Sequence, residues 1–160
     1  MSDHQSGMPG VVRTSLWILG IFIGIMLCLT VYAQFSSRVT TDTITLGGRS
    51  HTVLVANSPT TRYQGLSGRT QADLGAEGML FVFPLAQPRT FEMRGMLFPL
   101  DFVWVNGGKV VQVDENIAAP VGNEKPLRVS SEVPVDRVLE FPAGFVSRYH
   151  VKVGDAFSTR

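Results

Sequence analysis

The chain has 160 residues, and its 14 lysine and arginine residues against 13 aspartate and glutamate residues give a net charge of +1. This length suits one domain, with or without a targeting segment, and so small a charge argues against a nucleic-acid binder that works by neutralising phosphates. The single cysteine, Cys28, excludes an internal disulfide framework and a cysteine-rich metal site.

The amino-terminal part of the chain contains a long uncharged run. Between Arg13 and Arg38 there are 24 residues without charge, and residues 16–33 are its apolar centre. As a helix this centre would be about 27 Å long, which is close to the hydrocarbon thickness of a bilayer. The run therefore predicts one transmembrane helix over residues 14–37, a short cytoplasmic tail over residues 1–13 and an extracytoplasmic domain over residues 38–160.

The same run is also compatible with a secretory signal. Val31-Tyr32-Ala33 resembles the small-residue pattern at which such signals are cleaved. Cleavage near Ala33 would release a secreted or periplasmic domain, whereas an uncleaved anchor would hold the domain on the cell membrane through residues 14–37. The apolar length favours the anchor, because the hydrophobic part of a signal usually has about 7–15 residues. Both alternatives place residues 34–160 outside the cytoplasm.

Short apolar runs separated by turn residues begin after this segment. Residues 42–46 and 51–56 flank Gly47-Gly48, and this arrangement predicts a β-hairpin. Ser58 is followed by Pro59, which predicts the start of a short helix over residues 59–66, because serine caps helices and proline suits the first turn.

Six further strands are predicted from the apolar runs in the rest of the chain. The first is expected to stop at Pro84, because proline cannot donate to a strand ladder. The third and fourth flank Asn106-Gly107-Gly108, the clearest hairpin signal in the sequence. Residues 143–150 predict a helical turn, and residues 116–135, which contain three prolines, predict a long surface loop. The six strands are predicted at residues 79–83, 89–94, 101–105, 109–113, 137–141 and 156–158.

These elements predict a mainly β fold. Seven or eight short strands with one or two short helices favour a compact β-barrel or β-sandwich, preceded by one amino-terminal transmembrane helix. Residues 34–160 carry 13 basic and 12 acidic side chains, so no strong field indicates a charged partner.

Four ordered blocks of the domain resemble a known family. In order and content they are similar to the DUF192 family, also called UPF0127, over roughly residues 43–158. The resemblance implies a small, mostly β fold that often follows an amino-terminal membrane segment or signal. It implies no activity, because the biochemical function of the family is not established. The blocks are residues 62–69, residues 78–83 with 91–104, residues 138–144 and residues 151–155.

The central block departs from the commonest family pattern, which is Phe-Trp-Met-Lys-Asn-Thr. Glu92 replaces the tryptophan, Arg94 replaces the lysine, and Gly95-Met96 replaces Asn-Thr. A ligand that stacks on that tryptophan in relatives would therefore not find the ring in this chain.

Residues 89–101 are the best candidate for a functional site, because they place charged side chains among apolar ones. One interpretation is structural: Arg94 and Asp101 form an ion pair that holds the turn between them, and it is favoured because such networks often imitate sites. The other interpretation is a pocket in which Arg94 binds an anionic ligand and Asp101 orients it. The candidate ligand-binding residues are Arg94, Asp101, Glu92, Arg69, Met93 and Met96.

Paired carboxylates offer an alternative chemistry. Glu92, Asp101 and Glu140 would suit a small extracytoplasmic hydrolase or transferase if the fold brought two of them within about 5–9 Å. Two carboxylates on one cleft, one of them with a raised pKa, would favour an enzyme, whereas an Asp101–Arg94 pair on a flat surface would favour binding or structure. The sequence contains no nucleophile motif, phosphate loop or dinucleotide fingerprint, so it assigns no catalytic residue.

Metal and cofactor chemistry has little support in the sequence. Met93 and Met96, together with Met79, would offer thioethers to Cu(I), but methionines among phenylalanines are more often core filler. No metal and no cofactor are therefore predicted. The sequence favours a membrane-tethered or exported β domain of the cell envelope, a structural module or one that binds an unknown ligand or protein partner but no nucleic acid.

Overall fold

The computed structural model describes the backbone of residues 10–36 and 39–160, and the side chains of residues 17–30 and 39–160. The chain divides into two compact units, residues 1–38 and residues 39–160. The helices of the described residues are α1 Gly10–Ser36, α2 Pro59–Gln64 and α3 Phe145–Tyr149, with a 3-10 turn at Gln71–Asp73. The strands are β1 Thr40–Leu46, β2 Arg49–Ala56, β3 Gly78–Gln87, β4 Thr90–Glu92, β5 Leu100–Asn106, β6 Lys109–Ile117, β7 Arg128–Ser130, β8 Val135–Pro142 and β9 Phe157–Thr159.

The first unit contains helix α1. The large apolar side chains between residues 17 and 30 are exposed, as is Cys28. Within the part of the chain that the structure describes, no helix is both long enough and apolar enough to cross a membrane. The predicted transmembrane helix over residues 14–37 is therefore not supported. The side chains of the predicted tail over residues 1–13 and of the cleavage pattern at residues 31–33 lie outside the described residues.

The second unit is mainly β, as the sequence predicts. Within residues 39–160, seven strands form one curled sheet in the order β6-β5-β8-β3-β2-β1-β9, and β4 and β7 form a separate ribbon. The curled sheet is a half-barrel rather than a sandwich. Its two edge strands approach each other at one end, where Lys109 and Ala156 form an isolated antiparallel bridge.

Local sequence signals account for the tightest elements. Both predicted hairpins are confirmed, because β1 pairs with β2 and β5 pairs with β6 in antiparallel register. The paired glycines of the two turns, Gly47-Gly48 and Gly107-Gly108, have φ values between 55° and 79°, which glycine adopts without steric cost. The Ser58 cap is also confirmed: its hydroxyl oxygen accepts from the backbone N–H of Thr61 at 3.2 Å.

Two predictions are wrong, the end of β3 and the loop over residues 116–135, and in both cases pairing with a distant strand is the reason. Strand β3 runs through Pro84 to Gln87, because its pairing with β8 is interrupted between Val82 and Gln87 and the missing N–H of Pro84 costs no ladder bond. The predicted loop over residues 116–135 contains β7, which pairs with β4. In addition, β2 and β3 are parallel and are joined through α2, a pairing that requires such a crossover.

Each face of the curled sheet has its own apolar core. Phe102 of β5 and Val138 of β8 belong to one core, while their neighbours Val103 and Leu139 belong to the other. This division follows from the alternation of side chains along a strand. We call the first face the ribbon face, because the β4–β7 ribbon and the segment after α2 pack on it, and the second the α3 face, because α3 and β9 pack there.

Strands β3 and β8 approach each other closely at Gly78. A Cβ at this position would collide with the carbonyl oxygen of Glu140 and would lie 2.5 Å from Cδ1 of Phe141. The β3–β8 pairing therefore requires glycine at residue 78, and this pairing sets the position of Glu140 on the ribbon face.

Candidate functional site

An open cleft of about 690 Å³ lies on the ribbon face of the sheet. Its walls come from α2 and the loop after it, from β3, and from the segment between Pro88 and Met96. We call it the arginine cleft. Its charged lining residues are Arg62, Arg89, Arg94, Glu92 and Glu140.

The floor of the arginine cleft is aromatic. The ring of Phe91 on β4 meets three rings of the sheet edge to face, at centroid distances of 4.9 Å to Phe81, 5.7 Å to Trp104 and 5.8 Å to Phe102. Such edge-to-face contacts stabilise the packing beyond what the burial of apolar area alone contributes. The ribbon is thereby fixed on the sheet, and the cleft receives an apolar base.

One end of the cleft holds two arginines around a single ring. The guanidinium carbons of Arg62 and Arg89 lie 5.4 Å and 4.0 Å from the ring centroid of Phe83, within cation–π range. Nη1 of Arg62 donates to the carbonyl oxygen of Val82 at 2.9 Å, and Nη2 of Arg89 donates to that of Leu85 at 2.8 Å. Burial and, secondarily, the positive charge of Arg62 lower the pKa of Arg89 below its ordinary value.

Arg94 stands at the rim of the cleft. It is exposed, and its guanidinium carbon lies 4.6 Å from the ring centroid of Tyr63. The turn that carries it is tied to the loop after α2, because the Ser67 hydroxyl donates to the carbonyl oxygen of Arg94 at 2.7 Å. Gly95 follows with a φ of 67°, a region that glycine and asparagine tolerate. This conformation explains why glycine can replace the asparagine of the commonest family pattern.

Glu140 is the buried carboxyl of the cleft. It lies on β8 opposite Met79 of β3 and Phe102 of β5, so it faces the apolar core of the ribbon face. The residue is only 6% exposed, and its carboxyl has no hydrogen-bond or ion-pair partner among residues 39–160. Burial raises the pKa of Glu140 to about 8, because the charged form loses its hydration. At neutral pH this carboxyl is therefore mostly uncharged.

Glu92 lines the same cleft in a different environment. It ends β4, is exposed, and lies opposite Arg128 of β7 in the ribbon. Two of the three carboxylates considered from the sequence, Glu92 and Glu140, therefore share one cleft, and one of them has a raised pKa. This is the arrangement that favours acid–base chemistry.

The positive charge of the arginine cleft is not neutralised by the protein. In the part of the chain that the structure describes, none of Arg62, Arg89 and Arg94 forms an ion pair. Nε of Arg89 is buried and has no hydrogen-bond partner. With Glu140 uncharged, three arginines face a single carboxylate, that of Glu92.

Asp101 does not belong to the cleft, and the predicted ion pair with Arg94 is wrong. Asp101 lies opposite Phe141 on the α3 face, one residue out of phase with Glu140. It is fully buried, and its two carboxylate oxygens accept from the backbone N–H groups of Asn116 and Val146, both at 2.9 Å. Its carboxylate therefore ties the end of β6 and the first turn of α3 to β5.

The other candidates from the sequence divide between core and surface. Met93 and Met96 are buried in the core of the ribbon face, and so is Met79. Met96 also lines the cleft. Arg69 is half-buried in the loop after α2 and is not among the cleft-lining residues. Among the described residues, no group of three or more histidine, cysteine or acidic side chains could hold a metal.

A second cavity, of about 260 Å³, lies beside α3 and is lined by Glu77 and Arg148 among others. Its carboxylate is already engaged, because Oε2 of Glu77 lies 2.9 Å from Nδ1 of the buried His51 and Oε1 accepts from the backbone N–H of Thr52. The arginine cleft is larger and has more unpaired charge, so it is the stronger candidate.

The DUF192 family model, described as an uncharacterized ACR, matches residues 42–159. The chain belongs to the DUF192 family. Two solved structures are similar to it. A protein from Sinorhizobium meliloti 1021, described as a candidate transcription regulator, is 32% identical with a TM-score of 0.64, and the match covers 76% of this chain and 95% of that one. A protein of unknown function from Novosphingobium aromaticivorans DSM 12444 is 27% identical with a TM-score of 0.61, and the match covers 75% and 84%. No curated protein matches the chain.

Sequence reasoning did not select two of the three arginines in this DUF192 domain. Arg62 belongs to the first family block, and Arg89 begins the candidate segment 89–101, but neither was among the candidate ligand-binding residues. Phe83, which joins them, reads as an ordinary strand residue. The only available signal was that Arg62, Phe83 and Arg89 lie within or beside the family blocks.

Proposed function

We propose that this DUF192 domain binds a small organic anion in the arginine cleft. The observation that carries the proposal is the convergence of Arg62, Arg89 and Arg94 on one cleft without a carboxylate partner. Arginines held together repel one another, and an anion relieves this repulsion while it accepts charge-assisted hydrogen bonds. The aromatic floor supplies an apolar surface for the rest of the ligand.

The proposal is tested by thermal shift and calorimetry on the full chain with benzoate, phenyl phosphate and uncharged benzyl alcohol. The two anions are expected to raise the melting temperature by mass action, and the alcohol is not. Arg94→Gln is expected to weaken anion binding by about tenfold, because a hydrogen bond to a charged group contributes about 1.5–3 kcal/mol.

Arg49→Gln is the matched control, because Arg49 is exposed on β2 and lies outside the cleft. It should bind both anions as the wild type does. If neither anion binds, or if the two variants lose affinity equally, the cleft is not an anion site. Benzoate and phenyl phosphate distinguish a carboxylate ligand from a phosphate ligand.

A second candidate function is acid–base catalysis by a small hydrolase or transferase. It is favoured by the presence of Glu92 and Glu140 on one cleft, with the pKa of Glu140 raised to about 8 by burial. In such an enzyme Glu140 would be the general acid and Glu92 the base. A panel of nitrophenyl esters and glycosides tests it: turnover that falls at least about a hundredfold in Glu140→Gln supports the enzyme. No turnover on the panel together with ligand binding favours the binding function.

We propose in addition that the domain works outside the cytoplasm as a module of the cell envelope. The support is the 24-residue uncharged run of the sequence between Arg13 and Arg38. Cell fractionation with amino-terminal sequencing tests the proposal. A product that begins at Gln34 indicates cleavage, an intact chain in the membrane fraction indicates an anchor, and an intact chain recovered with cytosolic markers contradicts both. No nucleic-acid partner is proposed, since the net charge is only +1.

A further inference from the structure

The two polar ends of the arginine cleft are separated along β3. Arg62 and Arg89 surround Phe83, whereas Glu140 lies opposite Met79. These two β3 residues are four positions apart, which corresponds to about 13 Å of strand. Phe81 lies between them on the same face and lines the cleft. The cleft therefore has a cationic end, an apolar middle and a carboxyl end.

We propose that the ligand of the cleft is an elongated organic anion with a hydrogen-bond acceptor at the end opposite its charge, and that Glu140 donates a hydrogen bond to this acceptor. The inference rests on the anion-binding function proposed above and adds the class of ligand that the cleft selects. The anionic group lies at Arg62 and Arg89, and the apolar body lies against Phe81.

The burial of Glu140 supports this assignment. Its carboxyl lines the cleft, is more than nine-tenths buried, and has no hydrogen-bond partner within residues 39–160. The Glu140 side chain has little access to water, so a ligand that hydrogen-bonds to its carboxyl gains affinity that an analogue without the acceptor does not. Because burial keeps this carboxyl protonated at neutral pH, it offers an O–H donor.

The choice of ligand class also follows from the contrast between the two ends. A fully exposed anion site would discriminate between ligands by their charge alone. Here the carboxyl end is apolar around the donor, since its strand neighbours are Met79 and Phe102. Sites built to hydrogen-bond a ligand group discriminate strongly against ligands that lack it. Glu140 is therefore a specificity-determining residue.

Two acids that differ by one hydroxyl test the proposal. The probes are phenylpropanoate and its para-hydroxyphenyl analogue, and their affinities for the full chain are measured by calorimetry near pH 6. The hydroxylated acid is expected to bind the wild type about tenfold more tightly, the effect of one buried hydrogen bond. Glu140→Gln retains a donor and should keep this preference. Glu140→Met retains the shape without a donor, and its preference should fall to within about twofold while it still binds phenylpropanoate.

Glu132→Gln is the matched control, because Glu132 is exposed and lies outside the cleft. It should keep the wild-type preference. Equal affinities of the wild type for the two acids, or a preference that survives in Glu140→Met, overturn the role of Glu140 and leave the anion site standing. If neither acid binds the wild type, or if Arg89→Gln binds both as tightly as the wild type, the anion site fails and this inference fails with it.

Discussion

Replacement of Glu140 by glutamine should change the pH dependence of stability more than any other single exchange in the cleft. The side chain keeps its size and its hydrogen-bonding capacity but can no longer ionise. In the wild type, burial raises the pKa of Glu140 from 4.5 in the unfolded chain to about 8 in the folded domain. Between about pH 4.5 and pH 8, the carboxyl of Glu140 therefore stays mostly protonated in the folded domain.

The sign and size of the effect follow from proton linkage. Below about pH 4.5 the carboxyl is protonated in both states, and its titration changes nothing. As the pH rises from 4.5 toward 8, the unfolded chain releases the proton while the folded domain retains it, so the free energy of unfolding falls. At about 1.4 kcal/mol per pH unit, the loss is on the order of 5 kcal/mol above pH 8. This is a large share of the stability of an ordinary domain, which is about 5–15 kcal/mol.

Urea unfolding of the full chain between about pH 4 and pH 9 measures this loss. The fluorescence of Trp104, which is fully buried, follows unfolding of the domain. The free-energy difference between Glu140→Gln and the wild type should grow as the pH rises and level off above about pH 8. Glu132→Gln, at an exposed position, should follow the wild-type profile. Parallel profiles for Glu140→Gln and the wild type would refute the assignment of a buried, uncharged carboxyl.

Four further exchanges test the rest of the site and the sheet that carries it. Asp101→Ala should lower the free energy of unfolding by about 2–4 kcal/mol in urea unfolding, because the backbone N–H groups of Asn116 and Val146 lose their acceptor. Arg94→Ala should lower it by less than about 1 kcal/mol, and equal losses in the two variants would instead support an Arg94–Asp101 ion pair. Gly78→Ala should cost about 2–3 kcal/mol, because the added Cβ collides with the backbone of β8, and an unchanged unfolding midpoint would contradict that close approach. Arg89→Gln should weaken benzoate binding by about tenfold in calorimetry, since Arg89 lines the cleft and forms no ion pair within the described residues; a comparable loss in Arg49→Gln would show that the effect is not local.

The hairpins and the cap of α2 show which parts of the fold are predictable. Gly47-Gly48, Gly107-Gly108 and Ser58 act on residues a few positions away, and all three signals gave the observed turn or cap. Strand β3 shows the opposite case. Whether it passes through Pro84 depends on an irregularity in its pairing with β8, which begins some fifty residues later in the chain.

The candidate site also has a part that the sequence predicted and a part that it did not. The central family block pointed to Arg94 and Glu92, and both line the cleft. It also pointed to Asp101, which the register of β5 against β8 places on the opposite face of the sheet from Glu140. A shift of one residue in a strand moves a side chain to the other face, and the sequence contains no local signal for that register.

By itself, the sequence determined the mainly β class, the turns, the cap of α2, the near-neutral charge and the family. These properties depend on composition or on residues close together in the chain. The tertiary structure alone decided that Arg62, Arg89, Arg94 and Glu140 line one cleft, while Asp101 is committed to backbone groups on the α3 face. The physical reason is that three separate segments and the register of two long-range strand pairings bring these side chains together, and long-range pairing is fixed by the packing of the whole domain.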